Sequence, residues 1–302
     1  MSAVIPSPGT MPADVARRIR MLDRNVTPEL IQAAQDLYVP LHEKPPYAGV
    51  KITRDHKYGP AQRNRLDIYE PEPADRTPRP ILMFVHGGGF VAGDKWFEGT
   101  PYYDNVGLWA VRNGYIGVTM THRLAPDDPW PAANEDLAAA IEWTANAAAS
   151  HGGDAERIFL MGQSAGAAHS ASYVAHPEFH GPSGVRVSGV ILLSGLYNIT
   201  TMEMRPNLEA YYGTDPALYA ERSSITGLMH SSIPLMIVVA EMEPTFFHTQ
   251  GIELLGAICQ RDRACPRFLS LVGHNHLTEI FHLNSGENLL GSQIREFIRV
   301  GR

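Results

Sequence analysis

The chain has 302 residues, of which 44% are hydrophobic and 19% are charged. This composition supplies enough apolar material for a buried core, and α/β domains of this length form around one continuous sheet. The net charge is −7, with acidic and basic residues mixed along the chain and no basic stripe that could follow a phosphate backbone. Nucleic acid is therefore excluded as an expected partner.

The N-terminal residues and the cysteines bear on location. Residues 1–20 contain three prolines and no apolar run, so they lack the pattern of a signal peptide. No stretch approaches the roughly 20 apolar residues that a membrane span needs. Cys259 and Cys265 are too few for a disulfide framework, and we expect two free thiols. The sequence predicts a soluble cytoplasmic protein with no membrane partner, and it leaves the oligomeric state open, a homo-oligomer included.

Two helical patterns occupy the N-terminal segment. Between residues 13 and 22 the apolar side chains fall on one face, and Thr27 caps a second helical run that ends before Pro40. Because both patterns precede the first strand, residues 1–45 are predicted to form an N-terminal helical cap over the edge of a sheet. Residues 46–302 are predicted to form an α/β domain. No linker separates two cores, so we expect a single domain overall.

Apolar, β-rich runs and helical patterns alternate along the rest of the chain. The predicted strands cover residues 50–56, 66–69, 81–85, 115–120, 158–161, 187–193, 235–240 and 268–272. The predicted helices cover residues 99–113, 131–150, 165–176, 246–263 and 286–300. Most of these strands are continuous apolar runs, which is typical of strands buried on both faces of a parallel sheet. The sequence therefore predicts an α/β fold with a mostly parallel central sheet covered by helices on both faces.

A serine flanked by glycines follows the fifth predicted strand. Residues 162–166 have the sequence GQSAG, with Ser164 at the centre and an Ala-rich helix directly after it. Glycines on both sides let the chain turn sharply enough to project a nucleophilic serine. The free N–H groups of the following helix point at the place where negative charge develops in acyl transfer. A chance glycine–serine turn is the alternative, but the position between a buried strand and a helix favours a nucleophile.

Three successive glycines follow the third predicted strand. Residues 86–90 have the sequence HGGGF, and the N–H groups of Gly88 and Gly89, with that of Ala165, are predicted to form an oxyanion hole. Losing one such donor costs roughly 3–4 kcal/mol of transition-state stabilisation. A phosphate-binding loop is the alternative, but the G-x-x-x-x-G-K-[ST] spacing is missing. We expect His86 to hold the loop by hydrogen bonds and not to act as a base.

A serine nucleophile needs a histidine to take its proton and a carboxylate to fix the tautomer of that histidine. When a serine lies at such a turn, the acid and then the base follow it along the chain. Glu243 follows the seventh predicted strand and is favoured as the acid over Glu241, which is nearer the strand end. His276 follows the last predicted strand and is favoured as the base over His274. The His-x-His spacing also occurs at metal sites, but the serine turn leaves no role for a metal.

The ordered motifs resemble those of the esterases related to hormone-sensitive lipase, and of the neighbouring arylformamidase-like and feruloyl-esterase-like branch. The resemblance runs from about residue 60 to the C-terminus and is carried by residues 86–90, 115–126, 131–133 and 162–166. It implies the α/β-hydrolase fold and the cleavage of small-molecule carboxylic esters without a cofactor. It also implies that the loop glycines and Ala165 make the oxyanion hole, and that the N-terminal helices contribute to the substrate pocket.

Four positions depart from the pattern of the hormone-sensitive-lipase relatives. Gln163 stands where many of them have Asp and Ala167 where they have Gly, which places the chain nearer the arylformamidase-like branch. Glu243 stands at an Asp-Pro position, and His122, in the place of a Tyr, is interpreted as structural. An amidase or arylformamidase that uses the same triad is therefore an alternative function. A ligand-binding homologue such as the gibberellin receptor, which has lost its catalytic histidine, is a second alternative, but this chain has a candidate histidine and acid.

Aromatic residues after the glycine loop are predicted to line the substrate pocket. They are Phe90, Trp96, Tyr102 and Tyr103, with Tyr197 on the opposite side. The alternative is that they pack beneath the cap. If they line a cleft, they favour an aryl or medium-length apolar ester over a highly charged substrate.

Overall fold

The computed structural model describes residues 10–74 and 77–300; part of the cap segment (1–9), of the loop before the third strand (75–76) and of the C-terminus (301–302) lies outside the described residues. The strands are β1 (Val50–Lys57), β2 (Arg65–Pro71), β3 (Arg79–Val85), β4 (Ile116–Met120), β5 (Gly153–Gln163), β6 (Gly189–Leu193), β7 (Leu235–Met242) and β8 (Arg267–Asn275). The helices are α1 (Ala13–Ile19), α2 (Pro28–Tyr38), α3 (Asp104–Arg112), α4 (Ala132–Ala147), α5 (Ala165–Ala175), α6 (Pro206–Tyr212), α7 (Tyr219–Arg222), α8 (Ser224–Leu228), α9 (Thr245–Asp262), α10 (Thr278–Phe281) and α11 (Leu289–Val300). Over these described ranges, no helix is long and apolar enough to cross a bilayer.

The strands form one sheet in the order β1-β2-β4-β3-β5-β6-β7-β8. The pairs β1–β2 and β2–β4 are antiparallel, and every other neighbouring pair is parallel. All residues of β4 and of β6 are buried, as expected of strands that are covered on both faces. The predicted mostly parallel α/β sheet is therefore confirmed, and each predicted strand overlaps an observed one.

Side chains of the central strands alternate between two cores, one on each face of the sheet. Along β3, Met83 packs in the cluster that contains Leu137 of α4, whereas Phe84 packs in the cluster that contains Phe297 of α11. Both side chains are fully buried. Helices therefore cover both faces, and burying these two apolar layers is the main stabilising contribution to the fold.

The two N-terminal helices lie beside the carboxyl end of β8. Thr27 caps α2, as its side chain accepts a hydrogen bond from the N–H of Leu30 at 3.2 Å. Leu30 packs in the same apolar cluster as Phe281 of α10. Tyr38, the last residue of α2, donates a hydrogen bond to Glu287 at 2.8 Å. These contacts hold the N-terminal segment against the loops that follow the parallel strands.

The expectation of two free thiols is wrong, because Cys259 and Cys265 form a disulfide. Arg263, which directly follows α9, adopts a left-handed conformation with φ of 55°. This conformation turns the chain back on itself and brings the two cysteine Cα atoms to 4.4 Å, within the range that a disulfide bridges. The sequence spacing of six residues does not show that reversal.

Candidate active site

Ser164 lies at a sharp turn between β5 and α5. Its backbone has φ of 57° and ψ of −123°, a conformation that side-chain-bearing residues rarely adopt. A Cβ atom on Gly162 would lie 2.2 Å from the carbonyl oxygen of Gly166, and one on Gly166 would lie 2.1 Å from that of Val85. The turn is thus too tight for any residue but glycine at positions 162 and 166, two residues before and after the serine. Ser164 is partly exposed and lines a cavity, so its hydroxyl is open to a ligand.

The glycine loop after β3 borders the same cavity. Gly88 and Gly89 have φ of 132° and 60°, and both line the cavity together with Ala165, the first residue of α5. Within the described ranges, the N–H groups of Gly88 and Gly89 donate to no backbone acceptor. The side chain of Asn207 donates to the carbonyl oxygen of Gly89 at 3.1 Å and holds the loop. The structure therefore brings together the three N–H groups that the sequence predicts as an oxyanion hole.

His276 and Glu243 form a buried pair at the ends of β8 and β7. Nδ1 of His276 lies 2.9 Å from Oε2 of Glu243, and Oε1 of Glu243 accepts a hydrogen bond from the N–H of Ala240 at 2.9 Å. The ring of Phe247 stacks on the imidazole of His276, with 4.1 Å between centroids. His276 lines the cavity that Ser164 lines, so the pair faces the serine turn.

The two alternative catalytic residues that the sequence offered, Glu241 and His274, lie elsewhere. Glu241 is exposed, and its carboxylate accepts a hydrogen bond from the N–H of Gly273 at 2.7 Å. His274 is buried on the other side of the loop, where its Nε2 lies 3.3 Å from Oε2 of Glu287. Neither Glu241 nor His274 lines the cavity. The geometry therefore pairs His276 with Glu243 and leaves both rivals without a path to Ser164.

Burial controls the charge of these groups. It lowers the pKa of His276 to about 4, so the imidazole is neutral at neutral pH and able to accept a proton. It also raises the pKa of Glu243 above the ordinary value of a carboxyl, against hydrogen bonds from Ser194 and Ala240 that lower it. A neutral imidazole next to a buried carboxyl is the arrangement that general-base catalysis requires.

Sequence reasoning missed a second buried carboxyl, Glu279 of α10. Its Oε1 lies 3.9 Å from Nδ1 of His276, and its Oε2 accepts or donates a hydrogen bond at 2.8 Å with the hydroxyl of Ser194. The only signal in the sequence was that Glu279 lies three residues after His276, close enough in the chain for the two side chains to meet. No sequence pattern pointed to Ser194, because it comes close to the two carboxyl groups only when β6 lies between β5 and β7 in the sheet.

The cavity has a volume of about 610 Å³ and is mainly apolar. Three of the predicted pocket residues, Phe90, Tyr102 and Tyr103, line it. The cap segment also contributes lining residues, which sequence analysis did not identify individually: Val26, Ile31 and Gln35. Size and lining fit a small or medium-sized organic ligand.

Two predicted pocket residues do not line the cavity, and that part of the prediction is corrected. Trp96 turns away to a separate hollow, where the guanidinium of Arg54 lies 4.6 Å from its ring centroid. Tyr197 is fully buried beneath the site, and its hydroxyl accepts a hydrogen bond from the N–H of Gly195 at 3.2 Å. Proximity in sequence to the glycine loop does not fix side-chain direction, which packing decides.

His86 and His122 lie behind the glycine loop. Nδ1 of His86 donates to the carbonyl oxygen of Gly87 at 2.7 Å, and Nδ1 of His122 donates to that of Arg123 at 2.9 Å. The two rings stack with 4.6 Å between centroids. Burial lowers the pKa of both imidazoles, so both are neutral. They support the loop from beneath and do not face the cavity.

Arg205, at the mouth of the cavity, is its one formally charged lining residue over the described ranges apart from the titratable His276. Its guanidinium lies 4.5 Å from the ring centroid of Phe246. In the same ranges no carboxylate forms an ion pair with it. The cavity therefore has a positive charge at its mouth, and none of the described residues that line it is a carboxylate.

Comparison with known proteins places this arrangement in a family. The BD-FAE family model matches residues 66–255. Esterase LipQ of Mycobacterium tuberculosis is 27% identical over 248 residues, which are 76% of this chain and 58% of that protein. Esterase LipI of the same organism is 36% identical over 138 residues, 45% of this chain and 42% of LipI. The chain thus spans about half the length of these two relatives.

A solved structure with the same fold is that of esterase B from Lactobacillus rhamnosis. It superposes with a TM-score of 0.71 at 18% identity, over 88% of this chain and 91% of that chain. At this identity the likeness concerns the fold alone. It shows the α/β-hydrolase fold that the motif resemblance implies.

Proposed function

The chain belongs to the BD-FAE family, and from this premise we propose that it is a serine hydrolase that cleaves carboxylic esters of small molecules. One observation carries the proposal. The strained turn at Ser164 and the buried pair of His276 and Glu243 border one cavity, although 79 residues or more separate the serine from either partner. That convergence supplies a nucleophile, a base and an acid in one place.

In the first step, Ser164 Oγ attacks the carbonyl carbon of the ester, and Nε2 of His276 takes the hydroxyl proton. Glu243 accepts the Nδ1–H of His276, which fixes the tautomer and stabilises the imidazolium that forms. The neutral resting imidazole follows from the burial that lowers its pKa to about 4. The aromatic ring of Phe247 stacks on the imidazole of His276 and holds its plane in position.

The negative charge of the tetrahedral intermediate falls on the former carbonyl oxygen. Gly88, Gly89 and Ala165 line the cavity, and in the proposed mechanism their N–H groups donate to this oxygen. Because Ala165 begins α5, the positive end of the helix dipole adds to this stabilisation. His276 then protonates the leaving alcohol, and the acyl group remains on Ser164. Water repeats the sequence with the same base and releases the carboxylic acid.

The walls of the cavity support an uncharged aryl or medium-length apolar substrate. Phe90, Tyr102 and Tyr103 come from the body of the molecule, and Val26 and Ile31 come from the N-terminal segment. We propose on this basis that residues 1–45 act as a cap that completes the substrate pocket of the domain formed by residues 46–302. The relatives LipQ and LipI are named esterases, which is consistent with an ester as the substrate.

The direct test is the Ser164→Ala variant with a short-chain aryl ester. We expect kcat/KM to fall by roughly 10⁴-fold or more, since removal of the nucleophile leaves only binding and the oxyanion hole. Ser188→Ala is the matched control, because Ser188 directly precedes β6 and so lies at the amino ends of the parallel strands, away from Ser164 at the carboxyl end of β5. Activity of Ser164→Ala within a few-fold of the wild type would refute the proposal.

The alternatives make different demands on the same site. An amidase or arylformamidase would use the same three residues, and comparing turnover of a phenyl ester and an N-formyl arylamine separates the two, because an amine leaves only when protonated. A ligand-binding homologue would show no acylation burst. The presence of both His276 and Glu243 at bonding distance favours an enzyme.

The cytoplasmic location stays a prediction, and the Cys259–Cys265 disulfide provides its test, because disulfides persist mainly in oxidising compartments. Counting free thiols in the denatured protein, isolated with thiols blocked at lysis, decides whether the bridge exists in the cell. Assembly as a homo-oligomer is likewise a prediction, which light scattering of the purified protein tests.

A further inference from the structure

Behind His276 a chain of hydrogen bonds runs from Glu243 to two residues that the proposed reaction does not use, Ser194 and Glu279. All three side chains are fully buried. The hydroxyl oxygen of Ser194 lies 3.0 Å from Oε1 of Glu243 and 2.8 Å from Oε2 of Glu279. One serine therefore bridges two carboxyl groups, and both of these carboxyls face the same imidazole.

Counting protons shows that the two carboxyl groups are not both ionised. A serine hydroxyl has a single hydrogen and can donate to only one of them. If both were carboxylates, the second contact would place two oxygen lone pairs against each other at hydrogen-bonding distance. One carboxyl group must therefore supply a proton to Ser194 while Ser194 donates to the other.

The partners of each carboxyl group decide which one holds the proton. Apart from Ser194, Glu243 accepts from two donors, the N–H of Ala240 and Nδ1 of His276. Glu279 has one other donor, the amide of Gln163 at 3.1 Å on Oε1, which leaves Oε2 free to carry a hydrogen. Hydrogen bonds to a carboxylate stabilise its ionised form, so the charge belongs on Glu243 and the proton on Glu279.

Burial raises the pKa of both carboxyl groups to about 8, so their pKa values alone do not choose between them. The charge of Glu243 further raises the pKa of Glu279, against the opposing effects of His276, Gln163 and Ser194. The remaining titratable groups that face it are Tyr103 and Tyr197, whose own pKa values are raised by burial, so both are neutral. A second buried negative charge beside Glu243 is therefore disfavoured at neutral pH.

We propose that Glu279 is a positioning residue, a neutral acid that donates its proton to Ser194 and so keeps the negative charge of the pair on Glu243, beside His276. The inference rests on the proposed function, in which His276 is the base. Glu279 acts through Ser194 and Glu243 and does not touch the substrate, since it does not line the cavity.

The same network accounts for Gln163, the residue directly before the serine. Its amide donates to the carbonyl oxygen of His276 at 2.8 Å as well as to Glu279. Gln163 thus ties the backbone of the base to the protonated carboxyl group. An aspartate at this position, as in many of the esterases that the motifs resemble, would add a third carboxyl group to the cluster.

A metal ion is the competing explanation for two carboxyl groups and an imidazole at one place. Atoms of Glu243, His276 and Glu279 lie within 4.8 Å of one another. Three of the four carboxyl oxygens, however, already accept hydrogen bonds from Ala240, His276 or Gln163, and the fourth contacts Ser194. Because all four oxygens already have hydrogen-bonding partners, a shared proton is favoured over a bound metal ion. Elemental analysis of the purified protein distinguishes the two explanations.

The kinetic test compares two substitutions of Glu279. Glu279→Gln keeps a donor for Ser194 and an acceptor for Gln163, so we expect kcat/KM to drop by only about threefold. Glu279→Leu removes both and leaves Ser194 unpaired, and we expect a loss of about 10- to 100-fold. A much smaller loss of kcat/KM in Glu279→Gln than in Glu279→Leu would support a neutral carboxylic acid at this position. An equal loss in both variants, with unchanged melting temperatures, would overturn the proposal, because it would mean that an ionised Glu279 is needed.

The second test measures the proton directly and does not depend on activity. Infrared difference spectra of wild type minus Glu279→Gln, at pH 7 and with ¹³C-labelled glutamate, should show the carbonyl stretch of a protonated carboxylic acid. The same band should persist in Ser164→Ala. Its absence from the difference spectrum, or a stoichiometric metal ion in the protein, would overturn the proposal. If Ser164→Ala remained active while the band was present, the proposed function would fail and the proton assignment would stand.

Discussion

The two sides of the candidate site are built in different ways. On the nucleophile side, Ser164 and its oxyanion donors owe their geometry to the backbone: a turn that requires Gly162 and Gly166, and a loop in which residues 88–90 all have positive φ. On the acid–base side, the geometry comes from side chains. Glu243, His276 and Glu279 follow two different strands and meet in a fully buried space, where Glu243 pairs with His276 directly and with Glu279 through Ser194.

This difference separates what a local sequence pattern determines from what the fold must assemble. The glycine spacing around Ser164 is a local requirement, because each added Cβ atom would collide with a backbone atom nearby. The imidazole of His276, by contrast, depends on a carboxyl group 33 residues earlier in the chain. Substitutions on the two sides should therefore impair the enzyme in different ways.

The largest effect is expected from the acid–base side, with a control two residues away. His276→Ala should lower kcat/KM by roughly 10⁴-fold, since the serine loses its base. His274→Ala should lower kcat/KM far less and act mainly on the melting temperature, because His274 is buried against Tyr38 and Glu287 and does not reach the cavity. Steady-state kinetics with thermal melts measures both. Equal kinetic losses in the two variants would contradict the assignment of the base.

The second-largest effect on activity is expected from a substitution that displaces the backbone of the glycine loop. A Cβ atom on Gly88 would lie 1.9 Å from the carbonyl oxygen of Ala92, and Gly88 has a positive φ, so Gly88→Ala must shift the loop. We expect a loss of about 10²–10³ in kcat, comparable to the removal of one oxyanion donor. Gly256→Ala in α9 meets no atom within 4 Å and is the control. Wild-type kcat in Gly88→Ala would mean that this loop does not hold the oxyanion.

A pH profile addresses the base without any substitution. Because burial lowers the pKa of His276 to about 4, its neutral form should persist to lower pH than that of an ordinary histidine. We expect kcat/KM to stay level from pH 7 to about 5 and to decline, by up to about tenfold per pH unit, only below about 4. Circular dichroism at each pH separates this decline from unfolding. A decline centred near the ordinary imidazole value of about 6.5 would contradict the buried, neutral base.

The smallest effect is expected at the mouth of the cavity. Arg205 is exposed and stacks on Phe246, so its charge should lessen the disadvantage that a distal carboxylate brings to an ester in this apolar cavity, relative to a neutral ester of equal length. Arg205→Ala should lower the ratio of the two kcat/KM values by about threefold, since solvent screens an exposed charge. Arg157→Ala, at an exposed position paired with Asp154, is the matched control. An unchanged ratio in Arg205→Ala would remove Arg205 from substrate selection.

The sequence predicted the sheet, the serine turn and the glycine loop because each is a local pattern of apolar runs, glycines and caps. It favoured Glu243 and His276 from their positions after strands, and the structure then places them 2.9 Å apart. It could not predict Glu279 and Ser194, since their roles exist only after β6, β7 and β8 pack side by side. The prediction that Trp96 and Tyr197 line the pocket was wrong for the same reason, because packing and not chain proximity sets the direction of a side chain.

The disulfide teaches the same lesson on a smaller scale. Composition and spacing favoured free thiols, whereas the left-handed conformation of Arg263 reverses the chain after α9 and joins Cys259 to Cys265. A backbone conformation at a single residue thus overrides an expectation that rests on counting cysteines.

Covalent labelling of the wild-type protein with a fluorophosphonate, followed by peptide mapping, shows directly whether Ser164 is the nucleophile. We expect one adduct per chain, on Ser164, which disappears in Ser164→Ala and forms more slowly in His276→Ala. An adduct on another serine, or none on a protein that still hydrolyses aryl esters, would contradict the assignment of Ser164 as the nucleophile.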